Sequence, residues 1–282
     1  MPDTPLVRNV SDTAKWVAVY RAQESARSDA LFRDPFAERL AGERGKAIVE
    51  QVTRKAGSGW WMVVRTKLID DLVTKCVAEG CERVLNLAAG LDSRPYRMTL
   101  PESLEWIEAD LGPMIDEKEK LLAGEKPRCK LRREKVDLAD DAARAAFLDE
   151  ATKGGEKTLV LTEGLLVYLQ PSAVEALARD FSARPAIRWW MADIASHAIV
   201  SRMQKNLGSE LASAPMHFAP DDGVAFFERL GWKAKDVFSV WRWALRWRRL
   251  PVWMRLFWWT KDPDPRNPGK AMWSGVVRFV RE

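Results

Sequence analysis

Two periods of apolar residues alternate along the chain. In "SDTAKWVAVYRAQESARSD", residues 11–29, Trp16, Val19 and Tyr20 recur at helical spacing, with Ser11 or Asp12 as the N-cap. "RDPFAERLAG", residues 33–42, sets Asp34 as a cap before Pro35 at the first helical position and stops at Gly42. After the flexible "KAGSG", residues 55–59, a third helix is predicted from Trp60 to Glu79. Its buried stripe is Val63, Val64, Leu68, Leu72 and Val73, and Gly80 ends it.

Beyond Gly80 the pattern changes to strand, helix, strand. Strands are predicted in "RVLNLAA", "LEWIEAD", "RREKVDL", "TLVLTEG", "IRWWMADI", "WKAKDVFSV" and "MWSGVVRFVRE". Helical stretches "MIDEKEKLLAG", "DAARAAFLDEA" and "PSAVEALARDFSA" lie between several of them. This repetition predicts an α/β fold, a mostly parallel seven-stranded sheet covered on both faces. The last two strands have no crossover helix between them, which predicts an antiparallel edge strand. "KDPDPRNPGK", residues 261–270, reads as an exposed proline-rich loop. The expected organisation is one domain over 1–282. It comprises a helical N-terminal extension over 1–80 and a sheet over 81–282, with a tryptophan- and arginine-rich insertion at about 240–270.

Composition narrows the function classes. The 282 residues carry a net charge of +5, a weak pointer to any anionic partner. Three cysteines, Cys76, Cys81 and Cys129, form no C-x-x-C pair, and only His197 and His217 accompany them. Neither a zinc site nor a disulfide framework is expected, so the metal set is none. The opening "MPDTPLVRNV" has no basic flank followed by an apolar run, and no apolar stretch reaches the length of a membrane span. A cytoplasmic protein is expected, and the sequon Asn9-Val10-Ser11 is read as chance.

In an open parallel sheet, ligands bind beyond the carboxyl ends of the strands. The first strand ends in Ala88-Ala89-Gly90, the second in Asp110, the third in Asp137-Leu138 and the fourth in Glu163. Gly90 lets the backbone approach a ligand closely. Asp110 follows it by 20 residues, the interval at which an acidic residue meets ribose hydroxyls. Asp137 can accept from an exocyclic amine, and Glu163 can bind an ammonium. Each alone reads equally as a cap, a turn or a solvated loop residue; four at successive strand ends point to a shared ligand site. The turn A-A-G-L-D-S-R has one glycine where a dinucleotide fold has three, which suits a nucleoside ligand without pyrophosphate. A dehydrogenase with a degenerate turn is the competing enzyme reading.

"VLNLAAGLDSRPYRM", followed by "EAD" and "LTEGLLVYL", resembles the leucine carboxyl methyltransferase family. It is most similar to that family's bacterial branch of S-adenosyl-L-methionine-dependent O-methyltransferases related to polyketide methylation. "TAKWVAVYRAQESARSDALFRDPFAERLAG" and "VRTKLID" also match that branch, and the likeness weakens beyond residue 170. The resemblance implies a Rossmann-like class I methyltransferase fold with S-adenosyl-L-methionine as cofactor. It further implies that Arg65 meets the methionine carboxylate, Gly90 passes beneath the methionine and Asp110 holds the ribose. Asp137 and Leu138 would frame the adenine, Glu163 would sit near the amino group, and Arg21 would add a basic contact. Read without the resemblance, Arg65 is a solvent-facing helical arginine.

The implied reaction carries a methyl group to a carboxylate or hydroxyl of a small apolar or aromatic acceptor. A carboxylate needs no general base, whereas a hydroxyl does. No catalytic residue is assigned: Tyr168 is a weak candidate for orienting a substrate oxygen, equally read as packing, and both histidines are expected on the surface. A protein C-terminal carboxylate is a less favoured acceptor.

Fourteen tryptophans face three tyrosines, and eight of them lie between Trp232 and Trp273. Between Asp236 and Asp262 there is no acidic residue, while Arg242, Arg246, Arg248, Arg249 and Arg255 fall inside. "VWRWALRWRRLPVWMRLFWW", residues 240–259, has three readings. One is a lid helix packing its tryptophans on the core. The second is a membrane-surface helix, either on a peripheral enzyme or on a non-catalytic binding protein. The third is an aromatic pocket for a lipid-like or polyketide-like acid. Nucleic acid is not an expected partner, because no recognition motif accompanies the basic run.

Overall fold

A computed structural model describes residues 10–56, 58–155, 157–208 and 213–281, so Asn9 of the sequon and the capping side chain of Ser11 lie outside the described residues. Helix α1 (Val10–Ser25) buries Trp16, Val19 and Tyr20 as its spacing predicts. Helix α2 (Ala37–Ala56) is longer than expected. Gly42, at φ 57° and ψ −176°, ends its first helical run where the sequence predicts, and a second run follows directly. Glycine takes that backbone without cost from a β-carbon, and Ile48, Val49 and Val52 then extend the apolar stripe against α1. Helix α3 (Trp60–Ala78) buries all five residues of its predicted stripe.

The chain then builds β1 (Arg83–Leu87), the short helix α4 (Arg94–Arg97), β2 (Glu105–Asp110), α5 (Gly112–Leu121), β3 (Lys130–Lys135) and α6 (Asp141–Thr152). These are followed by β4 (Thr158–Thr162), α7 (Pro171–Ser182), β5 (Ile187–Ala195), α8 (His197–Leu207) and α9 (Ala225–Glu228). The last elements are β6 (Trp232–Ser239), α10 (Val240–Arg246), a 3-10 segment over Val252–Phe257, and β7 (Ser274–Arg281). All seven predicted strands are present.

They form one sheet in the order β3-β2-β1-β4-β5-β7-β6. The first five strands run parallel, and β7 lies antiparallel between β5 and β6. Strand order reverses between β1 and β4, so a crevice opens beyond their carboxyl ends. One face of the sheet packs on α6, α7 and α9 around Trp190, whose indole meets Phe181, Phe227 and Trp232 edge-on and donates to Thr162 Oγ1 at 2.9 Å. The other face packs on α3 and α10. A third apolar cluster joins α1, α2 and α8 above the strand ends, where it roofs the crevice.

The three cysteines are free and buried. Burial pushes the Cys76 thiol up to about 11, Cys81 to about 12 and Cys129 to about 11. A thiol reagent at pH 8 is therefore expected to label none of them rapidly in the native protein and all three in denaturant. Fast native labelling of Cys81 would contradict this packing. Among the described residues no helix is long and apolar enough to cross a membrane.

Candidate functional site

The site begins where β1 runs out. Ala88, at φ 52°, and Gly90, at φ 46°, turn the chain sharply above the sheet. A β-carbon on Gly90 would stand 3.1 Å from the Ala14 Cβ of α1, so the roof presses directly on this turn. Asp110, the last residue of β2, holds it from the side. Its Oδ2 accepts from the Gly90 N–H at 2.7 Å and its Oδ1 from the Leu111 N–H at 2.7 Å. Burial pushes the Asp110 carboxyl up against those two hydrogen bonds. Each oxygen keeps a lone pair, the arrangement a vicinal diol needs.

Arg65 does not face solvent. From α3 its Nε donates to Glu163 Oε1 at 3.1 Å and its Nη1 to Asp193 Oδ2 at 2.9 Å, with the guanidinium over the Trp61 ring. Nη2 takes part in neither bond. Burial opposes the charge, and Asp193 with Glu163 outweighs it, so the Arg65 pKa is raised. Glu163 is bridged in turn, because its Oε2 accepts from Arg94 Nη1 at 2.7 Å. Asp193 Oδ1 accepts from the Gly164 N–H at 2.7 Å, fixing the β4 turn as Asp110 fixes the β1 turn. Asp193 lies two residues before the end of β5, so the strand-end rule falls just short of it.

Asp92 and Arg94 belong beneath the site. Arg94 is almost fully buried, with Nε on Asp70 Oδ1 and Nη1 on Asp92 Oδ2, both at 2.7 Å. Asp70 also takes both terminal nitrogens of Arg97. Burial disfavours charge on Asp70, Asp92 and Glu163, yet the guanidiniums more than offset it and hold all three below the usual carboxylate range. Asp92 also accepts from Asn86 Nδ2 at 2.8 Å, which ties the cluster to β1. Asp70 closes the segment VRTKLID on α3, where the resemblance points only to Arg65.

The remaining expected residues divide. Arg21 lines the crevice, but its Nη2 donates to the Leu91 carbonyl at 2.6 Å and its Nε faces Asp34 at 3.4 Å, so its charge is engaged in holding the turn. Asp137 is exposed, its Oδ1 capping the Ala139 N–H at 2.9 Å. Leu138 is half-buried beside it and sends its carbonyl to Arg144. Tyr168 is half-buried with a hydrogen bond to Thr13, and burial pushes its hydroxyl up. His197 and His217 are exposed and do not line the crevice.

A single cavity of about 1450 Å³ joins Arg21, Arg65, Gly90, Asp110, Asp137, Leu138, Glu163 and Tyr168. Its far wall is apolar, built from Trp61, Val200, Met203, Trp241, Trp253, Met254 and Phe257. The tryptophan-rich segment thus supplies part of this wall, though not as one long helix. Helix α10 has only seven residues and buries Val240 and Ala244; Trp243 and Trp247 meet at 4.7 Å, tilted by 46°, across its end. Three arginines of the tryptophan-rich segment are committed: Arg249 to Glu24 and Asp29, Arg242 to the Trp258 and Thr260 carbonyls, and Arg246 over the Trp243 ring.

The family model of leucine carboxyl methyltransferase matches residues 14–182. A Frankia alni protein provisionally named an S-adenosyl-L-methionine-dependent methyltransferase is 34% identical over 239 residues, covering 79% of this chain and 82% of its own. A Streptomyces avermitilis protein with the same provisional name is 34% identical over 237 residues, with the same shares, 79% and 82%. Among solved structures, a DUF574-family protein from Streptomyces avermitilis superposes with a TM-score of 0.62 at 14% identity, over 92% of this chain and 98% of its own. A Thermobifida fusca protein, provisionally titled a methyltransferase, gives 0.62 at 14% identity over 98% and 96%. At such identities the structural likeness speaks for the fold.

Proposed function

The chain belongs to the leucine carboxyl methyltransferase family and is an S-adenosyl-L-methionine-dependent methyltransferase of class I fold; from that premise we propose that it methylates the carboxylate of a small apolar or aromatic acid. The carrying observation is the one cavity of about 1450 Å³ that runs from the polar strand ends to an aromatic wall. Ligand pockets usually measure about 300–1,000 Å³, so this one has room for a donor and a second molecule.

The strand-end residues suit the donor. Asp110 presents two oxygens to a ribose diol while its backbone bonds keep it in place. Val136 and Leu138 give the adenine an apolar seat, with Asp137 in reach of its amine. At the other end stand a cation, Arg65, and two carboxylates, Glu163 and Asp193, the complement of a zwitterionic amino acid. The bound cofactor supplies an electrophilic sulfonium methyl; the chain's work is to hold the acceptor oxygen in line with it, at about 3–3.5 Å. Trp16 and Trp61, edge-to-face at 6.3 Å, help close the roof against water.

The choice of carboxylate over hydroxyl rests on the bases the cavity offers. Among the described residues no histidine lines it, and the Tyr168 hydroxyl is pushed up rather than down. Glu163 and Asp193 are ion-paired with Arg65, Asp92 with Arg94, Asp141 with Arg144 and Asp262 with Arg242, while Asp110 and Asp137 accept from backbone N–H groups in the donor half. A carboxylate acceptor needs no proton removed. Arg202 and Lys261, on the apolar side of the cavity, are placed to receive its charge.

Calorimetry with S-adenosylhomocysteine tests the donor half, and methyl transfer to paired apolar acids and alcohols of equal size tests the acceptor half. Methyl esters are expected from the acids and nothing from the alcohols; ethers alone would replace the carboxylate reading, and no binding by folded protein would sink the donor site. Tyr168→Phe is expected to lower kcat by about fivefold, one hydrogen bond of about 1 kcal/mol, with S-adenosylhomocysteine affinity unchanged. An unchanged kcat would leave Tyr168 a packing residue.

A further inference from the structure

The segment after α10 turns large apolar side chains outward. Trp253, Trp258 and Trp259 are 63%, 68% and 62% exposed, and Val252, Leu256 and Phe257 accompany them. Monomeric proteins rarely leave so many large side chains together in water without a partner for them. The same segment has no acidic residue between Asp236 and Asp262, and Arg246, Arg248, Arg255 and Lys261 around it are exposed. Arg255 donates to the Leu250 carbonyl at 2.9 Å and to the Arg248 carbonyl at 2.9 Å, which braces the 3-10 turn so that its apolar residues project from a fixed base.

We propose that the turn over Val252–Trp259 docks on an anionic lipid bilayer and that the acceptor cavity opens onto that surface. Charge complementarity chooses the occupant. A second copy of this chain would bring the same cations against themselves, whereas an anionic bilayer meets arginines and lysines with phosphates and receives tryptophans at its interface. The geometry links docking to chemistry: Trp253, Phe257 and Met272 are exposed on one side and line the cavity on the other. An amphiphilic acid can then pass from the bilayer along the aromatic wall without crossing water. This deepens the acceptor reading above and rests on it for the identity of the cargo, but the docking itself stands on the surface alone.

Leu256, Trp258 and Trp259 belong to the patch and not to the cavity lining, so replacing them removes no lining side chain, and only Phe257 loses a ring neighbour. The full chain is expected to co-sediment with phosphatidylcholine vesicles containing phosphatidylglycerol at about 0.05 M salt, and to release at about 0.5 M. Vesicles of phosphatidylcholine alone are expected to retain at least tenfold less. The combined variant Leu256→Ser, Trp258→Ser, Trp259→Ser is expected to lose at least tenfold in partitioning while binding S-adenosylhomocysteine as the unaltered chain does, which shows that it is folded. No pelleting with anionic vesicles, or equal pelleting of the variant, overturns the proposal. So does a wild-type dimer that the variant abolishes in the absence of vesicle binding. Vesicle binding by a chain that fails to bind S-adenosylhomocysteine would uphold docking and overturn the donor site instead.

Discussion

Arg94→Ala is expected to lower folding stability by about 3–5 kcal/mol, the cost of leaving buried charge without its partner. Arg94 is 1% exposed and bonds three carboxylates at 2.7 Å: Asp70, Asp92 and Glu163. Arg97 and Arg65 remain to serve Asp70 and Glu163, but Asp92 keeps only its hydrogen bonds from Asn86 and the residue 94 N–H. In thermal unfolding of a chain of 282 residues the loss corresponds to roughly 5–8 °C. The sign of its pH dependence follows from the carboxylates. All three are held below the usual range in the folded protein, so their stabilisation is complete above about pH 4 and is withdrawn as pH falls through the folded values. In the variant that depression is smaller, so less is withdrawn. The difference between the two proteins should be largest at neutral pH and shrink on acidification; a constant difference would mean that Arg94 matters through packing rather than charge.

Asp110→Ala is expected to weaken S-adenosylhomocysteine binding by about 10- to 100-fold, the cost of about 1.5–3 kcal/mol for hydrogen bonds to a charged group. Two losses combine. The diol loses its acceptors, and the Gly90 N–H loses the carboxylate that fixes the turn. Asp110→Asn narrows this, since its single amide oxygen can keep the Gly90 N–H bond while the charge and the second acceptor are gone. Burial raises the Asp110 pKa, so binding to the native protein should begin to weaken at a higher pH than an ordinary aspartate would set, as the carboxylate is protonated. The asparagine variant should lack that step. Calorimetry across pH checks both, and wild-type affinity in Asp110→Ala would remove Asp110 from the site.

The strands are legible because a parallel sheet writes itself as short apolar runs, and their ends mark Gly90, Asp110 and Glu163. What those residues do to one another is not. Arg65 and Glu163 read as two separate cofactor contacts, yet they lie 98 positions apart and bond each other at 3.1 Å. Nothing local records such a pair, nor Asp70 beneath Arg94, because the partners come from different elements that meet only in the tertiary fold. Helix α8 is fainter in the sequence: Val200, Met203 and Leu207 keep helical spacing, but polar residues between them dilute the pattern. Gly42 shows the reverse, a correct break signal followed by a helix that packing on α1 restores. The tryptophan-rich segment is the extreme case. Its residues divide among core, cavity wall and open surface within a few positions, and composition cannot sort them.

The placement of β7 between β5 and β6 has a consequence for the newborn chain. On a ribosome β5 and β6 emerge first, and in the finished sheet they are not neighbours. Until residues 274–281 are released, the outer edge of β5, carrying Trp189, Trp190 and Met191, stands unpaired and open to other strands. The ion pairs of Arg278 with Glu79 and Asp236, which tie β7 to α3 and β6, form only then. Through the synthesis of the whole tryptophan-rich segment the half-built sheet keeps a sticky edge, and this is the interval in which a chaperone would have most to protect.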